Sequence, residues 1–161
     1  MAAAFDLAEL YEASYGRLVA QLYALCGDMA TAEDAVQDAF VTAVRKSREL
    51  AHVHSPEAWI RTVAVNRVRA SWRHASVVRR YQPRVPGPQA PVEVGPHHVA
   101  LVTALAQLDF DQRLVVVLHH VADLGTEEIA TQLGIPEGTV KSRLSRARAR
   151  LAGLLEERES R

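Results

Sequence analysis

The sequence predicts an all-α protein of two small helical domains joined by a proline- and glycine-rich linker. Three observations carry this. Apolar residues recur at helical intervals through most of the chain, and strand signals are confined to Val115–Val117, which lies inside a helical pattern. Pro83, Pro86, Gly87, Pro88, Pro91, Gly95 and Pro96 crowd one segment that no single helix can contain. The length of 161 residues suits either one domain or two small ones, and the breaker-rich segment decides for two. The expected division is a first domain at 1–75, a linker at 76–98 that reads as extended and mobile, and a second domain at 99–161.

The first element runs from Phe5 to Leu25, with Leu7, Leu10, Tyr11, Leu18, Leu22 and Leu25 at helical spacing and a break expected near Gly16. The second, Thr31 to Arg45, opens with Thr31 and Asp34 at capping-box spacing and buries Ala32, Ala35, Val36, Ala39, Phe40 and Ala43. Its other face carries Asp34, Gln37, Asp38 and Arg45. That face suits plain solvation or the docking of a protein partner equally. The loop that follows, about Ser47 to Ser55, has no decisive signature.

The third helix starts at Ser55 and Pro56, runs to about His74 and buries Ile60, Val63, Ala64 and Val68. Thr62, Asn66, Arg69 and Arg73 project from its opposite side. Trp59 joins them, because Trp59, Asn66 and Arg73 recur every seven residues. An aromatic beside an amide and arginines is a surface for unstacked bases, although tryptophan is more often packed in a core. Val99 to Leu108 and Phe110 to Val121 are each periodic, with Asp109 as the cap between them.

Asp123 to Leu151 has the pattern of a helix-turn-helix. Thr126 is the expected N-cap of its first helix, Glu127 and Glu128 complement the dipole, and Ile129, Ala130 and Leu133 share one face. Gly134 ends that helix and Pro136 suits the first turn of the next. At roughly 100° per residue, Val140, Leu144, Ala147 and Leu151 form the buried stripe of the second helix. Ser142, Ser145, Arg146 and Ala149 point the other way, flanked by Lys141, Arg143, Arg148 and Arg150. A small polar centre with basic edges fits a major groove, where serine and arginine reach base edges and the flanking cations meet phosphates. A solvated basic helix on an ordinary bundle is the plainer alternative; the spacing, the turn and the charge together favour DNA.

Lysine plus arginine equals aspartate plus glutamate, 19 each, but the charge is segregated. Asp6, Glu9, Glu12, Asp28, Glu33, Asp34, Asp38 and Glu49 outnumber Arg17, Arg45, Lys46 and Arg48 in the first third. From Ala58 to Val92 there is no acid, while Arg61, Arg67, Arg69, Arg73, Arg79, Arg80 and Arg84 make a second basic surface. Two DNA contacts are implied. Cys26 is the only cysteine, so no internal disulfide forms, and a small buried side chain is its expected role. No apolar run approaches the roughly 20 residues that span a bilayer, and the expected location is cytoplasmic. No enzyme is expected. No glycine-rich phosphate loop follows a strand, His97 and His98 lack ligand companions, and His119 and His120 are adjacent and expected to diverge. Neither a metal nor a cofactor is therefore predicted.

In this order the blocks resemble the extracytoplasmic-function group of bacterial sigma factors, over nearly the whole chain. Ala32-Glu33-Asp34-Ala35-Val36-Gln37-Asp38-Ala39-Phe40 resembles that family's region 2.2, Ala58-Trp59-Ile60-Arg61 through Asn66 its regions 2.3 and 2.4, and Gly138-Thr139-Val140-Lys141-Ser142-Arg143-Leu144 through Arg148 its region 4.2. The resemblance implies core RNA polymerase and promoter DNA as partners. Asp34, Gln37, Asp38, Phe40 and Arg45 would dock on the beta-prime clamp helices, and the second domain would reach the beta flap. Trp59, Arg61, Thr62, Asn66, Arg69 and Arg73 would read and melt the minus-10 element. Thr139, Lys141, Ser142, Arg143, Ser145, Arg146 and Arg148 would read the minus-35 element. An anti-sigma factor covering both domains is a further partner that the resemblance allows. Ala70 departs from the family, which commonly has an acid four residues after the asparagine. The alternative class is a stand-alone helix-turn-helix regulator whose N-terminal helices bind a ligand or dimerise.

Overall fold

The computed structural model describes residues 5–78 and 96–160, with side chains for 5–73 and 99–160. The described residues are helical and contain no strand. They fall into two compact units, divided between Val92 and Glu93.

In the first unit, α1 (Leu7–Cys26), α2 (Met29–Arg45) and α4 (Pro56–Val78) pack pairwise around one core, with the single-turn α3 (Ser47–Leu50) beside α2. Asp6 caps α1 by accepting the Ala8 and Glu9 amides at 2.9 and 3.2 Å. The helix ends on Gly27, whose φ of 73° is open to glycine at no steric cost. Gly16 does not break it. An exposed helical glycine costs about 1 kcal/mol relative to alanine, and burial of Leu18, Val19 and Leu22 on the next turns outweighs that.

The start of α2 also departs from expectation. Asp28, not Thr31, is the N-cap, and its carboxylate accepts both the amide and the hydroxyl of Thr31. The capping-box reading of Thr31 and Asp34 thus began one turn too late. Ala32, Ala35, Val36, Ala39, Phe40 and Ala43 are buried as the periodicity requires, and the four alanines let the neighbouring helices approach closely. Leu50, fully buried, seats α3. Ser55 accepts the Ala58 amide at 3.3 Å with Pro56 at the first helical position of α4. Ile60, Ala64, Val65 and Val68 fill the core, whereas Val63 is half-buried.

The segment expected as linker is partly helical, since Ser76–Val78 ends α4 and Pro96–His98 begins α5; residues 79–95 lie outside the described residues. The second unit comprises α5 (Pro96–Leu105), α6 (Phe110–Val116), a π-helical turn at Val117–Val121, α7 (Thr126–Leu133) and α8 (Glu137–Glu159). Asp109 caps α6 through the Gln112 amide at 2.8 Å. The expected single helix from Phe110 to Val121 changes pitch at Val117, where the Ala122 amide reaches back five residues to the Val117 carbonyl. Asp123 follows at φ 57°, a left-handed position that aspartate tolerates.

Arg113 is the unit's internal brace. It is 4% exposed, and its guanidinium donates to the carbonyls of Leu105, Ala106 and Leu108 at 2.8, 3.3 and 2.9 Å. Those carbonyls belong to the C-terminal end of α5 and the turn after it, where unpaired acceptors and the negative dipole end favour a cation. Replacing Arg113 with methionine keeps the length but strips these carbonyls of a donor. Arg113→Met is expected to lower stability to urea by about 2–4 kcal/mol, and a loss under about 0.5 kcal/mol would contradict the bracing role.

Candidate polymerase and nucleic-acid interfaces

On α2 the expected docking residues separate into three kinds. Asp34 and Arg45 are exposed. Gln37 is exposed and donates to the Tyr15 hydroxyl at 3.2 Å. Asp38 is half-buried and ion-paired with Arg67 of α4. Phe40 is the correction: only 6% exposed, it packs edge-on against Tyr11 with ring centroids 4.9 Å apart. It presents little surface itself, because the α2 face that meets α1 turns it inward. It forms instead the floor of an apolar groove of about 500 Å³, whose rim includes Tyr11, Val41 and Val44. Val41 and Val44 are more than half exposed. The periodic reading missed them, because they fall outside the buried stripe and carry no charge to mark them.

On α4, Asn66 and Arg73 are exposed, and Trp59, Thr62 and Arg69 are half-buried. The Thr62 hydroxyl donates back to the Ala58 carbonyl at 2.9 Å. Arg61 is not a surface residue. It is 5% exposed, its Nε donates to Gln21 Oε1 at 2.8 Å, and it lies 3.7 Å from Glu57. The guanidinium is held at the junction of α1 and α4 and is not part of the exposed face of α4. Glu57 also accepts two hydrogen bonds from Arg17 at 2.8 and 3.0 Å, which hold the Arg17 guanidinium above its ordinary pKa. The i, i+4 spacing of Glu57 and Arg61 was the available signal for this junction. Arg67, exposed between Asn66 and Arg73, is the cation that the site reading left out.

The helix-turn-helix places α8 by a buried stripe of Val140, Leu144 and Ala147, with Leu151 half-buried beyond them. Ile129 is the fully buried residue of α7, with Ala130 and Leu133 half-buried. Gly134, at φ 66°, ends α7. Two caps move by one residue. Gly125 rather than Thr126 precedes α7, with its amide donating to Glu128 at 3.3 Å, and Pro136 sits at the N-cap of α8 rather than inside its first turn. The Thr126 hydroxyl, released from capping, donates to Glu137 Oε1 at 2.7 Å.

Lys141, Ser145, Arg146 and Arg148 are exposed along α8; Thr139, Ser142 and Arg143 are half-buried. Lys141 pairs with Glu137 at 3.3 Å. Arg143 lies 4.0 Å from Asp111, at the edge of a recess of about 210 Å³ that Arg146 and Asp109 also line. The rings of His119 and His120 do not diverge as expected; the π-helical turn sets them edge to face, 4.7 Å apart. His119 Nδ1 is hydrogen-bonded to the Leu124 carbonyl at 2.8 Å. Burial, then His119 and Arg148, push the His120 pKa below its ordinary value. Cys26 is half-buried, not enclosed, and its thiol donates to the Asp28 carbonyl.

These features define a helical protein in two units, one with a helix-turn-helix whose second helix shows a basic outer face, the other with an acidic helix packed on a basic one. Comparison with known proteins narrows the class. The Sigma-70 region 2 family matches residues 10–78, and the Sigma-70 region 4 family matches residues 98–151. The ECF RNA polymerase sigma factor SigL of Mycobacterium tuberculosis is 39% identical over 127 residues, covering 74% of this chain and 72% of SigL. SigM of the same organism is 35% identical over 128 residues, and there the match spans 77% of this chain but 64% of the relative's length. The RNA polymerase sigma-E factor of Streptomyces avermitilis is 36% identical, covering 84% of this chain and 76% of that factor. Among solved structures, the sigma factor RpoE of Bartonella quintana, in complex with the anti-sigma factor NepR, superposes with a TM-score of 0.74 at 26% identity, covering 94% and 97% of the two chains. The chain belongs to the sigma-70 family of RNA polymerase sigma factors, in its extracytoplasmic-function group.

No described helix is long and apolar enough to cross a membrane. The Glu137 carboxylate is held below its ordinary pKa, first by the Thr126 hydroxyl and then by Lys141. Its contribution to stability is therefore complete above the ordinary carboxylate range and is lost as pH falls through the lowered value. The melting-temperature advantage of the wild type over Glu137→Gln should shrink as pH is taken from neutral to about 3. An advantage that grows on acidification would reverse the sign and refute the assignment.

Proposed function

We propose that the chain docks on core RNA polymerase through the exposed face and groove of α2, captures an unstacked minus-10 base on α4 and reads the minus-35 duplex with α8. It acts in the cytoplasm as a non-enzymatic initiation factor, and an anti-sigma factor could compete for the same surfaces. One observation carries the reading. The two family matches, in order, fall on units whose exposed faces have the required chemistry: Asp34, Gln37 and Arg45 on α2, Asn66 and Arg73 on α4, and Ser145, Arg146 and Arg148 on α8.

Each face suits its task in kind. Opening duplex costs about 1.4 kcal/mol per base-pair step, and stacking of a freed base on an aromatic platform returns roughly 1–3 kcal/mol. Trp59 is half-buried and lies two turns from exposed Asn66 on α4. On α8, Arg146 projects from the centre of the outer face and suits a base edge, while Arg148 and Lys141 flank it toward phosphates. Arg61 is assigned to the α1–α4 junction and not to DNA.

A stand-alone regulator would protect its operator without polymerase. The proposed function predicts protection of a matched promoter only after core enzyme is added, and a specific transcript from purified core plus this chain. Protection that is equal without core, or no transcript from a selected promoter, would overturn it. Within the holoenzyme, Arg148→Ala should weaken binding alike on all sequences and reduce the salt slope by about 1, whereas Arg146→Ala should relax preference at one upstream position. Asn66→Ala should leave closed complexes intact and reduce open complexes roughly tenfold, as permanganate reactivity of unpaired thymines would show.

A further inference from the structure

Glu137 stands between the two helices of the helix-turn-helix and belongs to none of the surfaces described so far. One of its oxygens, Oε1, receives the Thr126 hydroxyl from the first turn of α7 at 2.7 Å and lies 3.3 Å from Lys141 Nζ, one turn along α8. The carboxylate therefore clamps the start of α8 to the start of α7. It also engages a cation on the flank that faces nucleic acid. Its place in the first turn of α8 adds a favourable interaction with the helix dipole.

We infer that Glu137 is a specificity-positioning residue that withholds Lys141 from the DNA backbone until the correct upstream duplex is seated. The inference rests on α8 being the minus-35 reader. A lysine free in solution meets any phosphate, so it strengthens binding to every sequence and discriminates among none. Lys141 paired with Glu137 must exchange one anion for another, and the exchange gains little where the helix is seated at the wrong depth. At a matched site the base contacts of α8 fix that depth, and the phosphate then outcompetes the carboxylate. The hydroxyl of Thr126 keeps the carboxylate from following Lys141 outward. Selectivity is obtained by reducing indiscriminate attraction, without a base contact from Glu137 itself.

The substitution Glu137→Gln is isosteric: the amide oxygen still accepts from Thr126, but the side chain no longer holds Lys141 by charge. Holoenzyme rebuilt from core polymerase and the full chain is compared on a selected promoter and on the same promoter with a scrambled upstream element, across a salt series. Glu137→Gln should strengthen binding to the scrambled promoter, steepen the salt slope by about 0.9, and reduce discrimination roughly two- to fivefold. In a Lys141→Ala background the same substitution should change none of these three quantities. Thr126→Val, which frees the carboxylate without removing it, should shift discrimination in the same direction by less. The inference is overturned if Glu137→Gln matches the wild type, if its effect persists undiminished in the Lys141→Ala background, or if it alters preference at one base with the salt slope unchanged, which would make Glu137 a direct reader. A wild type that fails to discriminate between the two promoters would instead refute α8 as the minus-35 reader.

Discussion

Val140, Leu144 and Ala147 leave α8 no freedom to turn about its axis, and the basic outer face of that helix depends on the constraint. A helix that buries one narrow stripe has every other side chain aimed by its 3.6-residue period. The stripe is apolar and small, so α8 lies close against α7 and α6, and a rotation of one residue would drive Lys141 or Arg148 into the core at prohibitive desolvation cost. Ser145, Arg146 and Arg148 point outward because the stripe points inward. The same logic orients α2, where the alanines at 32, 35, 39 and 43 fix which way Asp34 and Gln37 face.

Charge burial divides the arginines into two populations. Arg61 and Arg113 are almost fully enclosed, and each is held by oxygens of a helix other than its own: the Gln21 amide for one, the carbonyls at the end of α5 for the other. A buried guanidinium is tolerable only with such a set of acceptors, and arginine, with five donors in a planar fork, can satisfy several at once. Arg73, Arg146 and Arg148 are exposed and keep their hydration. Basic composition alone cannot separate the two populations. The packing of each helix does so.

The long helices, their order and the buried stripes of α2 and α8 were legible in the sequence because strong periodicity is local information; the single-turn α3, within the stretch read as a loop from about Ser47 to Ser55, was not. Element ends were not. Thr31, Thr126 and Pro136 each carried a plausible signal, yet Asp28 and Gly125 took the caps, since which of several nearby groups closes a helix depends on what the neighbouring helix demands. Thr126 shows this directly: its hydroxyl is engaged by Glu137, eleven residues away. The pitch change at Val117 has no marker in composition, and the ring contact of His119 and His120 follows from it. The burial of Arg61 was not legible because a basic residue on a basic helix looks exposed until the partner helix supplies Gln21. Phe40 was legible as buried; its groove was not, because a groove belongs to two helices and a periodic pattern to one.

Several outward cations on the basic faces of α4 and α8 are themselves paired. Arg67 meets Asp38, Lys141 meets Glu137, and Arg143 lies at the limit of contact with Asp111. Exposed pairs of this kind contribute little to stability, typically under about 1 kcal/mol, so stability is a poor explanation for them. Their effect on long-range attraction is larger, because each removes a free charge from the field that draws in a polyanion. The formal net charge of zero over the whole chain is a sum of segregated regions, so pairing subtracts from a local basic face and not from an overall positive field. Outward cations that are already paired leave each basic face with less free charge than its composition suggests.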